Sequence, residues 1–72
     1  MSSLDWKAIA KSSNISAVAH DGTALHVKFK SGQVYVYRGA DARHLDEMLR
    51  SESAGRYFAQ HIKPHHSFEK AP

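Results

Sequence analysis

Tyr35 and Tyr37, one residue apart, preceded by Lys28 and Lys30 and followed by Arg38, are the side chains in this sequence best suited to chemistry with a partner. Aromatic rings stack on bases and cationic side chains neutralise phosphates, so the pattern points to single-stranded RNA or tRNA laid across a sheet. The competing reading makes the tyrosines core aromatics with satisfied hydroxyls and the lysines a water-facing strand face. Arg56 and Tyr57 follow Ser53-Ala54-Gly55 at the start of a predicted helix, where backbone N–H groups and the helix dipole favour an anion. A capped helix packed closely through Gly55 is the favoured account of those residues, because such caps are common. Lys63 completes the candidate RNA-binding set of Lys28, Lys30, Tyr35, Tyr37, Arg38, Arg56, Tyr57 and Lys63.

Other chemistries find less support. His61, His65 and His66 form the one histidine cluster, but Pro64 interrupts the helix that would align them. With no nearby cysteine or obvious carboxylate to complete a zinc shell, no metal is expected. The chain contains no cysteine, which removes thiolate catalysis, cysteine zinc sites and disulfides, and suits a cytoplasmic protein. Asp46 and Glu47 are adjacent on a predicted helix and diverge, so they do not make an acid/base pair. Neither a glycine-rich phosphate loop nor a triad pattern is present. No cofactor is expected, and the chain reads as non-enzymatic.

These side chains must be positioned by a domain of 72 residues, close to the lower limit for folding alone, so most apolar side chains are committed to one core and little is left for a deep catalytic pocket. The net charge of +3 is modest but uneven. Residues 1–40 hold Lys7, Lys11, Lys28, Lys30 and Arg38 against Asp5 and Asp21, whereas residues 41–72 are neutral. Six histidines would add positive charge in mild acid and strengthen anion binding. The apolar runs are short and the first residues lack a signal-peptide pattern, so neither a membrane nor secretion is expected.

Leu25, Val27 and Phe29 alternate with His26, Lys28 and Lys30, and a second β-rich run, Gln33 to Arg38, follows Ser31-Gly32. The two read as a hairpin. Ile15 to His20 reads as a further strand, joined to it through Asp21-Gly22. From Asp41, a candidate N-cap, Ala42, Leu45, Met48 and Leu49 fall at helical spacing up to Arg50. Ser53 caps a second short helix containing Phe58 and Ile62, which Pro64 ends. The expected fold is therefore α+β, a three-stranded antiparallel meander followed by two short helices packed on one face, β-β-β-α-α. Residues 1–11 form an N-terminal arm or short helical turns around Trp6 and Ile9, residues 12–63 the domain, and residues 64–72 a flexible tail.

Hairpin register decides which face carries the tyrosines. A two-residue turn at Ser31-Gly32 would put Tyr35 and Tyr37 with His26, Lys28 and Lys30 on one basic, aromatic face. A three-residue loop, Lys30-Ser31-Gly32, with only the glycine left-handed, would put them with Leu25, Val27 and Phe29 on the core face. Sterics favour the second, because serine resists the positive φ that the tight turn demands of it.

Ser12-Ser13-Asn14-Ile15, Ala17-Val18, the turn at Asp21, Leu25-His26-Val27-Lys28-Phe29, Ser31-Gly32, Tyr35-Val36-Tyr37 and Ser53-Ala54-Gly55-Arg56-Tyr57-Phe58 through Ile62 together resemble the KTSC domain family. That family is named for the C-terminus of some lysyl-tRNA synthetases and includes free-standing bacterial and phage proteins. Gly39-Ala40-Asp41 departs from the Val-Pro pair that similar proteins carry before the first helix. The resemblance implies RNA binding, and no catalytic residue. The functional expectation is a monomeric binding module for RNA or a ribonucleoprotein. Its alternative is an adaptor that docks a strand edge or an apolar helix face on a protein partner.

Overall fold

Five strands form one antiparallel sheet in sequential order: β1 (Lys7–Ala8), β2 (Ile15–His20), β3 (Ala24–Phe29), β4 (Val34–Arg38) and β5 (Phe68–Lys70). Between β4 and β5 the chain makes α1 (Ala42–Arg50) and α2 (Ala54–Tyr57), and α2 runs on as a π-helical segment over Phe58–Ile62. The computed structural model describes residues 4–9, 12 and 14–71.

The loop at 30–32 sets the register of the central hairpin. Phe29 N–H donates to the Gln33 carbonyl at 2.8 Å and Gly32 N–H to the Phe29 carbonyl at 2.9 Å. Gly32 has φ +99°, a left-handed conformation that glycine adopts without a Cβ penalty. Val27 therefore opposes Tyr35 and Leu25 opposes Tyr37, on the face toward the helices, while Lys28 opposes Val34 and His26 opposes Val36 on the other face. This is the three-residue-loop register that sterics favour.

The expected three-strand meander is β2-β3-β4, and the sheet is wider than expected by one strand at each edge. β1 pairs Lys7 with Val18 and Ala8 with Ala17, so within residues 4–9 the N-terminal segment is extended and not a helical turn. The rest of that arm lies outside the described residues. Phe68–Lys70, expected as part of a flexible tail, pairs with β4, placing Phe68 opposite Tyr37 and Lys70 opposite Tyr35. Ala71 N–H extends the ladder by donating to the Val34 carbonyl at 2.8 Å. Strands of two and three residues are too short to show alternation, and they form because β2 and β4 would otherwise present unpaired backbone edges.

Ile15, Val18, Leu25, Val27 and Tyr37 from the sheet meet Met48, Ala54, Phe58 and Ile62 from the helices in one core. Asp41 occupies the N-cap position of α1, but its side chain makes no capping bond. Ser53 does cap α2, its Oγ accepting from Arg56 N–H at 3.3 Å. Gly55 permits close packing: a Cβ there would stand 3.1 Å from Asn14 Oδ1 and 3.3 Å from Ser12 Oγ. In the π segment Lys63 N–H reaches back to the Phe58 carbonyl at 2.9 Å. Phe58 and Ile62, four residues apart, share one face, and both are buried.

The β2–β3 turn is held by the Asp21 carboxylate. Its Oδ1 accepts from the N–H groups of Thr23 and Ala24, each at 2.8 Å, and its Oδ2 lies 2.8 Å from His26 Nε2. The bond from His26, with those from Thr23 and Ala24, holds the Asp21 carboxyl well below the ordinary carboxylate range. A folded-state pKa below the unfolded value contributes stability that is complete above about pH 4 and drains away as the pH falls through the lowered range. Asp21→Ala is expected to lower Tm by roughly 5 °C at neutral pH, with the gap to the parent closing in strong acid. Thermal melts across pH measure this, and a gap that stays constant down to acid pH would refute the assignment.

Candidate functional site

Near the Phe29–Gln33 end of the hairpin, the helix-facing side of the sheet opens into a groove of about 670 Å³. Phe29, Tyr35, Tyr37, Phe58 and Phe68 form its aromatic lining, and Asn14, Lys30, Gln33 and Lys63 are among its polar members. The rings meet edge to face at Phe29–Tyr35 (5.1 Å between centroids), Phe29–Phe58 (5.8 Å) and Tyr37–Phe58 (5.1 Å). Phe68 instead lies almost flat on Tyr35, 4.8 Å away at 11°. Tyr35 Oη donates to Gln33 Oε1 at 3.2 Å.

The two tyrosines on β4 differ in what covers them. Tyr37 is 1% exposed, packed under Phe58, and burial pushes its hydroxyl pKa up to about 12, so it stays neutral. Tyr35 is only half-buried, at the open part of the groove. Lys30 and Lys63 are exposed, and neither forms an ion pair among the described residues. Lys30, Tyr35, Tyr37 and Lys63 thus come together from the candidate set, although Lys30 and Lys63 are far apart in the chain.

Lys28 and Arg38 lie on the opposite face. Lys28 Nζ is 5.4 Å from the centre of the Trp6 ring, whose edge-to-face contact with His26 spans 6.4 Å. Arg38 is bound to Glu69 through a short hydrogen-bonded ion pair, which raises the guanidinium pKa further. Arg56 has its N–H on Ser53 Oγ, the arrangement of a capped helix. Tyr57 donates its hydroxyl to the Glu47 carboxylate, while His44 Nδ1 stands 3.0 Å from the same hydroxyl oxygen. Burial, then the bond to Glu47, raises the Tyr57 pKa to about 12, and the same bond lowers that of Glu47. Burial and the neighbouring His66 lower the pKa of His44. A neutral tyrosine held this way is a weak nucleophile and a weak acid at neutral pH, and the network's evident effect is to tie α1 to α2.

Phe58 and Phe68 belong to the groove, and Trp6 to the other face; none was in the candidate set. Phe68 had one sequence signal, an aromatic side chain alone in a polar tail. Trp6 had none, because its neighbours Lys28 and His26 depend on the pairing of a two-residue strand. Among the described residues, no group of three or more His, Asp or Glu side chains is placed to hold a metal ion, and no helix is long and apolar enough to cross a membrane.

Fold and site together define a small α+β domain in which a five-stranded antiparallel sheet carries two helices on one face and leaves an aromatic groove beside them. The KTSC domain model matches residues 11–68, and the chain belongs to the KTSC domain family. It is similar in structure to a KTSC domain protein from Yersinia pestis, whose crystal structure aligns with a TM-score of 0.84 at 25% identity, covering 97% of this chain and 100% of that one. No curated protein matches the sequence.

Proposed function

We propose that the domain is a non-enzymatic module for single-stranded RNA, taking an unpaired base against the aromatic groove and adjoining phosphates on Lys30 and Lys63. The observation that carries this is the composition of the groove, in which Phe29 and Tyr35 are combined with two lysines free of ion pairs among the described residues. Stacking on an aromatic side chain contributes about 1–3 kcal/mol per base without demanding a particular sequence, and lysines supply the phosphate attraction. Within this reading Tyr35 and not Tyr37 is the stacking residue, because the Tyr37 ring is enclosed. Lys28 and Arg38 sit across the sheet and would affect RNA only through long-range charge. The adaptor reading has a narrower basis: among the described residues the large exposed apolar side chains are Leu49 and Phe68, on α1 and β5 respectively, rather than one continuous patch.

Titration of isotopically labelled protein with short oligouridine at low and raised salt tests the proposal. Expected are amide shifts over residues 29–35 and 58–63 that shrink as salt rises, and a loss of about tenfold in affinity for Tyr35→Ala with the core resonances in place. Binding that ignores salt, or a folded spectrum unmoved by RNA at low salt, would reject the RNA reading and direct attention to a protein partner.

A further inference from the structure

We infer that β5 is a detachable strap, opening as a unit to free the face of Tyr35 that Phe68 covers; its part in RNA binding rests on the groove being the RNA site. Phe68 lies on Tyr35 at the spacing and near-parallel angle of a stacked base, 4.8 Å and 11°. Ligand and strap therefore compete for one ring face. Phe68 nevertheless remains 50% exposed, and all three residues of β5 are exposed. No residue of β5 belongs to the core cluster, so detachment leaves the packing of Tyr37 against Phe58 and Leu25 in place.

Little else holds the strap. Three residue pairs and the Ala71 N–H join it to β4, and its side-chain anchors are the Phe68 ring on Tyr35 and Tyr37 and the Arg38–Glu69 ion pair. The two ion-paired side chains are 69% and 61% exposed, a setting in which ion pairs contribute little. On the other side, the chain is tied down as far as His66, whose N–H donates to the Ile62 carbonyl at 3.0 Å and whose ring lies 5.6 Å from that of His44. The swing point is therefore Ser67. Opening there costs one short ladder and the contacts of Phe68 with Tyr35 and Tyr37, while β4 keeps its full pairing with β3.

A site that is competent only when open binds with an affinity reduced by the open fraction, so weakening the strap should tighten binding. The test combines amide hydrogen exchange of the free full-length protein with oligouridine titrations of the parent and Phe68→Ala. Expected are Ala71 amide exchange at least about 100-fold faster than the slowest amides of β3, and affinity for oligouridine about 3- to 10-fold higher in Phe68→Ala. Addition of RNA to the parent should also accelerate Ala71 exchange. Ala71 exchange as slow as that of β3 overturns the strap even if RNA binds. Unchanged or weaker binding by Phe68→Ala overturns it too, making Phe68 a bystander or part of the stacking surface. Fast Ala71 exchange with no oligouridine binding by either protein supports detachment and rejects the RNA reading.

Discussion

Tyr37→Ala is expected to melt roughly 15–30 °C below the parent, whereas Tyr37→Phe should melt within a few degrees of it. The ring is 1% exposed, opposes Leu25 across the ladder and meets Phe58 edge-on at 5.1 Å and Phe68 at 5.6 Å. Truncating a buried aromatic side chain to alanine costs about 3–5 kcal/mol, through the apolar burial removed and the cavity left behind. Domains of this length sit toward the low end of the usual stability range of about 5–15 kcal/mol, so that loss removes most of the margin. The hydroxyl makes no hydrogen bond to another described side chain, and among the described residues removing it strands no partner. Thermal melts by circular dichroism of the two variants give the comparison directly. An alanine variant melting within about 5 °C of the parent would show that the sheet and helices pack without this ring.

That contrast between two tyrosines on one strand marks how far the sequence could be read. Alternation around Leu25, Val27 and Phe29, with glycine at 32, was enough to read strand and turn and to favour the register found over its one alternative, because each depends on neighbours in the chain. Ser53 as a cap and Gly55 as a close-packing residue were legible for the same reason. Whether Tyr35 or Tyr37 is enclosed was not, since that depends on where Phe58 lands after two helices. The π-helical widening over Phe58–Ile62 has no sequence pattern distinct from an α-helix. β1 and β5 are edge strands recruited by the edges of β2 and β4, and their own residues carry too few alternations to reveal it. The groove inherits this limit: Lys30 comes from the hairpin loop and Lys63 from the end of the π segment, and only the folded chain makes them neighbours of one aromatic surface.

If those lysines meet phosphates, the double variant Lys30→Glu/Lys63→Glu should bind oligouridine roughly 30- to 100-fold more weakly at low salt, since each change removes an attraction and adds a repulsion. Both side chains are exposed and outside ion pairs among the described residues, so Tm should hardly move. The dependence of log affinity on log salt should become shallower by about 1.4, at ~0.7 for each single-strand phosphate that is no longer neutralised. Parent and variant should therefore converge as salt rises. The matched control is Lys28→Glu/Arg38→Glu, which makes the same change in net charge on the opposite face of the sheet. Charge reversal at Arg38 also releases the Glu69 anchor of β5, which acts to tighten binding, so affinity should fall by no more than about 2- to 3-fold through the general field of the domain. The paired design separates local phosphate pairing from bulk charge: equal losses in the two double variants would mean that RNA senses only the net positive charge, and a larger loss in the control would transfer the interface to the face where Trp6 and Lys28 lie together. Only the asymmetric result, with the shallower salt slope confined to Lys30 and Lys63, places phosphates beside the groove, because screening acts on both faces alike while direct pairing acts on one.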